Sequence, residues 1–228
     1  MSARNKPGEC VYCGRTAKLT KDHIPPRRLF GKLPVAQLIT VGCCSDCNKA
    51  ASKDDEYFKL NLALKNEIRE EPDVQEIIPS VLRSLQREEA RGLRTTFFSG
   101  VEEIELKSAD GLFVRHRATF RVDLERLSRV PNRVVKGLFW RTYGRRLPNE
   151  YGVRTLAAEG LPFEATAEMG PFLEALHGAN LTNVGRVFSY SSIQMPDDSN
   201  ATMWLTIFYR QIFFISMTLR VEDFAQTM

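Results

Sequence analysis

Two pairs of cysteines carry the first chemistry legible in this chain. Cys10-Val11-Tyr12-Cys13-Gly14 and Cys44-Ser45-Asp46-Cys47 are C-x-x-C hooks with 30 residues between them. Each hook presents two thiolates from one tight turn, and Gly14 supplies the positive φ that lets the backbone pass beneath the sulfurs. Together they make a four-cysteine site whose expected ion is a structural Zn²⁺. The gap exceeds the roughly 15–20 residues of a simple ribbon, so a further element is inserted between the hooks. Cys43 is a surplus thiol that competes by a one-residue slip; the paired spacing favours Cys44 and leaves Cys43 as a small buried hydrophobe.

The insertion contains LTKDHIPPRRLF, residues 19–30. An imidazole titrates near neutral pH and can take a proton from water. Adjacent strand residues point to opposite faces, so Asp22 and His23 cannot serve one phosphate from a regular strand. Pro25 and Pro26 cannot donate ladder hydrogen bonds. They are therefore expected to end the strand and hold the Asp-His pair at its rim. Arg27, Arg28 and Lys32 follow as expected phosphate contacts.

Cys-x-x-Cys, then Asp-His with a proline shortly after, then Cys-x-x-Cys-Asn leading into a helix: over about residues 8–70 this order resembles the HNH endonucleases, also called His-Me finger or ββα-metal nucleases. The resemblance implies a β-hairpin and helix that clamp one divalent ion, with the zinc stapling the ends. It implies His23 as the general base, and Asp22 and Asn48 as ligands of a catalytic Mg²⁺ or Mn²⁺, an oxygen donor set that suits a hard cation. The implied reaction is hydrolysis of DNA phosphodiester bonds, leaving 5′-phosphate and 3′-hydroxyl ends. Two departures stand out. No asparagine occupies residues 38–42, so either a backbone carbonyl or Thr40 orients His23, or catalysis is impaired. Ala51 stands where the family commonly has lysine. The rival readings are a zinc-dependent nucleic-acid-binding module without chemistry, and a nuclease directed at RNA.

The elements that must position these groups follow from periodicity. Ser52 with Asp55 predicts a capped helix start, and Tyr57, Leu60, Leu64 and Ile68 recur along its inner stripe. The charged, proline-containing stretch 69–73 is the expected boundary between a zinc-binding module (1–70) and an accessory domain (71–228). A helix is predicted over 80–91 with Val81, Leu82 and Leu85 inward. A hairpin is predicted from 101–108 and 112–122 about Ala109-Asp110-Gly111. There His116 should lie on a buried face, with Glu103 and Glu105 meeting Arg115, Arg117 and Arg121. Residues 126–146 hold seven Lys or Arg and no acid. A helix over 132–144 would bury Val134, Val135, Leu138 and Phe139 and leave Arg133, Lys136 and Trp140 outside as a nucleic-acid contact. His177 is expected to cap a helix end. Runs at 186–195, 202–209 and 212–219, with a turn at 196–200, read as antiparallel strands. The fold class is therefore α+β, a zinc-stapled ββα module followed by an α+β domain with an antiparallel sheet.

Composition agrees. The chain has 228 residues, 43% hydrophobic, with all five cysteines in the first 47. Such crowding argues for metal rather than disulfides. Residues 1–50 carry a net +6 within a total of +4, the footprint of a polyanion partner. The first ten residues do not read as a signal peptide, and the longest apolar run, 203–219, is broken by Arg210 and Gln211. The expectation is a cytoplasmic protein without a membrane span, with DNA as partner before RNA. For the C-terminal domain, substrate positioning and assembly with a second copy or another protein both stay open.

Overall fold

Leu19 organises the first sheet. An added Cβ on Gly8 or Gly42 would come within 2.7 Å of its Cδ1, so glycine on either side lets three strands close around one side chain. These are β1 (Pro7–Glu9), β2 (Thr16–Ile24) and β3 (Ile39–Cys44), paired antiparallel in that order. The computed structural model describes residues 7–31, 38–157 and 170–225.

Helix α1 (Ser45–Ala63) follows β3 directly. The capping box expected at Ser52 is therefore not a start: Cys44 is the N-cap and Ser52 lies inside the helix. Of the predicted stripe, Tyr57 and Leu60 are buried. Leu64 falls beyond the helix end and is exposed, while Ile68 is buried in a separate 3₁₀ turn. Helix α2 (Pro72–Leu85) places Pro72 in its first turn, where the missing N–H costs nothing, so the stretch read as a boundary begins a helix. Val81 and Leu85 point inward, whereas Leu82 is exposed. The helix predicted to run to 91 ends at Leu85, and Gly92 lies inside α3 (Arg91–Phe98).

Strands β4 (Val101–Lys107) and β5 (Phe113–Phe120) form the predicted hairpin, with Gly111 at φ 80° in its turn. Its apolar face is not buried. Leu112 and Val114 are more than half exposed, and His116 stands in solvent with Nδ1 3.6 Å from Glu103. The register explains the error: Glu103 pairs with Ala118 and Glu105 with His116, which puts both acids on the histidine's own face. Arg121 instead meets Glu102 at 3.5 Å.

Helix α4 (Leu124–Tyr143) is longer than 132–144 because Asp123 caps it, accepting from Arg126 N at 2.9 Å. Pro131 is carried within the helix and buried. The predicted stripe of Val134, Val135, Leu138 and Phe139 is buried, and Gly144 ends the helix at φ 67°. The remaining elements are β6 (Tyr151–Ala157), α5 (Gly170–Gly178), β7 (Thr182–Val184), β8 (Phe188–Met195), β9 (Asp198–Phe208) and β10 (Ile212–Arg220). They build an antiparallel sheet in the order β6-β10-β9-β8-β7, including the three strands expected from sequence. Strand β9 starts within the stretch read as a turn. Buried hydroxyls on this sheet satisfy one another: Thr202 Oγ1 and Thr218 Oγ1 lie 2.7 Å apart, and Thr202 Oγ1 also accepts from Trp204 Nε1 at 2.7 Å. His177 falls in the last turn of α5.

One hydrophobic cluster runs from Ile24, Val41 and Phe58 through α4 to Trp204, Phe208 and Phe214. Segments 1–70 and 71–228 thus share a core, with the Phe58 and Phe208 rings 5.1 Å apart. Among the described residues no helix is long and apolar enough to cross a membrane.

The tightest seam lies where α4 crosses the hairpin. A Cβ on Gly137 would stand 1.8 Å from Ile24 Cδ1 and 3.7 Å from Val41 Cγ1. Ile24 is buried and has nowhere to swing, so overpacking of about 1–3 kcal/mol should exceed the roughly 1 kcal/mol of helix propensity that alanine adds. Gly137→Ala is expected to lower the urea midpoint, and Ile24→Val in that background should recover part of the loss.

Candidate functional site

The first hook turns under its sulfurs through Gly14 N donating to Cys10 O at 2.9 Å, with Gly14 at φ 74°. The second straddles the β3–α1 junction, so Cys47 lies in the first helical turn, where the positive end of the helix favours thiolates. Cys10, Cys13, Cys44 and Cys47 come together with all four sulfurs within 4.8 Å of one another. Thiolates bound tetrahedrally at about 2.3 Å sit roughly 3.8 Å apart, and Cys13 Sγ to Cys44 Sγ is 3.8 Å. The four-cysteine set is compatible with Zn²⁺. The Arg15 backbone N–H and then its guanidinium hold the Cys13 thiol down to about 6, and the Cys47 backbone N–H lowers Cys44. Both shifts favour the ligating form, whereas burial and then Cys44 and Cys13 raise the Cys47 thiol. Cys43 lies outside the group, fully buried, its thiol pushed up to about 11 by burial.

Asp22 and His23 sit in regular register, Asp22 opposite Val41 and His23 opposite Thr40, and the strand ends one residue later at Ile24. The prolines do stop the strand, but the pair lies inside it, so the two side chains leave on opposite faces. Asp22 faces inward. Its Oδ2 accepts from Tyr12 OH at 2.7 Å and lies 3.4 Å from Arg133 Nε, and the side chain is only 10% exposed. Arg133 reaches on to Asp55, with Nη2 to Oδ1 at 2.5 Å. Arg126 Nε meets Asp54 Oδ1 at 3.1 Å beside it, and its guanidinium carbon stands 4.4 Å from the centre of the Tyr57 ring. Asp55, expected in a capping box, therefore clamps α4, as does its neighbour Asp54. Burial pushes the Asp55 carboxyl up to about 6 against the pull of Arg133, and raises the Tyr12 phenol, with the Asp22 charge adding to it.

This corrects the placement of Arg133, which was expected on an outer face. Its side chain is 13% exposed because the facing surface of α1 is acidic. Lys136 is half-buried and its ammonium is held below the usual lysine range by burial and then by Arg146. Trp140 stays partly exposed. Asn48 donates from Nδ2 to Thr20 Oγ1 at 3.0 Å. As arranged, Asp22 is buried against a guanidinium and a phenol, and Asn48 is bonded to the strand through its amide nitrogen. Among the described residues, the four cysteines are the only group of three or more His, Cys, Asp or Glu side chains gathered closely enough to hold a metal.

His23, half-buried, takes the face opposite Asp22, which alternation assigns also to Lys21 and Thr40. A cleft of about 440 Å³ lined by Leu38, Ile39, Thr40 and Arg141 opens at this end of the hairpin. Arg27 and Arg28 follow, exposed, on a 3₁₀ turn whose Leu29 and Phe30 are buried. Lys32 lies outside the described residues. Sequence reasoning missed Tyr12 and did not single out Arg141. Tyr12 carries no signal beyond lying inside a hook, and Arg141 was one of seven cations in a run.

Comparison of the chain with protein-family models, curated proteins and solved structures finds no match.

Two measurements follow. Elemental analysis should find one zinc per chain, retained by Cys43→Ser and lost by Cys44→Ser, with chelation lowering the melting temperature of the wild type. Arg133→Met leaves two buried carboxylates without a cation and should cost about 3–5 kcal/mol in urea denaturation.

Proposed function

We propose that this chain is a zinc-stapled phosphodiesterase module of the HNH type, acting on DNA with His23 as general base. The observation that supports it best is topological. The two cysteine hooks close the ends of a hairpin–helix unit, and His23 stands on the open face of that hairpin directly across from Thr40. Thr40 thereby holds the position from which a side chain can orient the imidazole where the asparagine is lacking. Lys21 on the same face, with Arg27, Arg28 and Arg141 at the hairpin's end, offers cations to a phosphate backbone. In this reading His23 accepts the proton of the water that attacks phosphorus. A divalent ion, when bound, would supply charge neutralisation at the phosphate. For Asp22 to serve that ion, its carboxylate would have to leave Arg133.

The Arg133 contact favours a second reading, a nucleic-acid-binding module without chemistry. The two are separated by incubating supercoiled plasmid with the zinc-loaded protein in Mg²⁺, Mn²⁺ or EDTA, beside His23→Ala of equal zinc content. Nicking that needs the ion and disappears in the variant is the expected result. Equal inertness of both proteins on duplex, single-stranded and RNA substrates, with binding unchanged by His23→Ala, would establish the binder instead.

A further inference from the structure

Behind the hairpin's exit, the 3₁₀ turn carrying Arg28, the middle of α1 and the outer side of α2 enclose a cleft of about 350 Å³. Four cations line it: Arg28, Lys59, Arg83 and Arg87. Two carboxylates, Glu56 and Glu76, share the wall, and a Cβ on Gly31 would stand 2.8 Å from Glu76 Oε2. None of the four cations has a carboxylate within ion-pair distance among the described residues. That contrasts with the α1–α4 seam, where Arg126, Arg129 and Arg133 are each matched to Asp54, Asp55 or Asp22.

Lys59 is the decisive residue. Lysine is seldom buried unless paired, yet Lys59 is 9% exposed and its ammonium has a single neutral partner, donating to Ser80 Oγ. Burial, with Arg28 and Arg83 close by, holds it down to about 8. Ser80 in turn donates to Ile77 O at 2.9 Å, so its hydroxyl hydrogen is engaged and it offers Lys59 only a lone pair. Glu56 pulls the other way from beyond ion-pair distance; an ammonium with Arg28 and Arg83 close by and Arg87 on the same concave wall is short of an anion with several acceptor oxygens.

We infer that this cleft is a phosphate-binding site distinct from the His23 face, and that its occupant is a backbone phosphate of the nucleic acid. The occupant's identity rests on the function proposed above; the anion site itself does not. Arg28 joins the two regions, since it lies on the turn that leaves the hairpin just after His23. A strand gripped here is anchored at a second point, which fixes its register at the hairpin without touching the reacting bond.

The test uses the zinc-loaded full chain and two probes, inorganic phosphate followed by NMR and a labelled duplex oligonucleotide followed by anisotropy over a salt series. Arg83→Gln/Arg87→Gln alters two exposed side chains, and Lys59→Met keeps the buried stem. Both variants should lose phosphate-induced shifts at the cleft. They should also bind the duplex several-fold more weakly, with the slope of log K against log salt shallower by about 1, one phosphate contact. A wild type that shows no phosphate shifts at the cleft, or variants that bind phosphate and duplex as the wild type does, would overturn the inference. Phosphate binding that the variants lose, in a wild type that binds no oligonucleotide, would reject the nucleic-acid reading while sparing the anion site.

Discussion

A single guanidinium, that of Arg133, holds three elements in place. It lies between Asp22 on β2 and Asp55 on α1, while its own helix α4 rests on the hairpin through Gly137 and Ile24. Removing charged groups from water is expensive, and only close pairing offsets the cost. The geometry therefore admits little slack: α4 must cross the hairpin at the height of Asp22 and pass α1 at the height of Asp55. Tyr57 and Arg126 repeat the arrangement one step nearer the start of α4, where the Tyr57 hydroxyl accepts from Asp123 N at 2.8 Å. The four-cysteine hairpin–helix unit and the large sheet are joined through this seam and through the aromatic contacts of Phe58 with Phe208 and Phe214.

The same seam divides the chemistry of the Asp-His pair. Strand alternation sends Asp22 into the acid–base network and His23 to the open side. One dipeptide thus serves packing with one residue and exposes an imidazole with the other. The tight Gly137 contact is what brings Arg133 close enough to engage Asp22, so packing and the electrostatics of the candidate site are set by one helix position.

The legible parts of the sequence were those whose signals are local. A C-x-x-C hook reports its own turn, and the runs that became β8, β9 and β10 are apolar and β-branched enough to need no partner to be identified. The inward stripe of α4 was likewise readable. What failed depended on partners far along the chain. Asp55 looked like a helix-capping acid because its cation stands on α4. Arg133 looked exposed because Asp22 and Asp55 are remote in sequence. The β4–β5 hairpin shows the opposite error: its alternation marks an apolar face correctly, but alternation cannot say whether another element covers that face. Lys59 carried no signal at all, since a lone lysine on a helix is ordinarily solvated.

The tight turn between β9 and β10 has a consequence for the order of assembly. Tyr209 and Arg210 adopt left-handed backbone there, at φ 48° and 63°, and both reach back to the start of the protein. The Tyr209 hydroxyl donates to Leu29 O at 2.7 Å across 180 positions, and Arg210 meets Glu71 at 2.7 Å. The ribosome delivers the chain from its N-terminus, so the two hooks are available to metal long before this clasp exists. Hook closure spans only the 30 residues between the hooks and needs none of the later strands, whereas Asp22 waits for α4 and the turn after Pro26 waits for the last hairpin. A nascent chain paused before β9 would already hold its metal, with the segment next to His23 still unfastened.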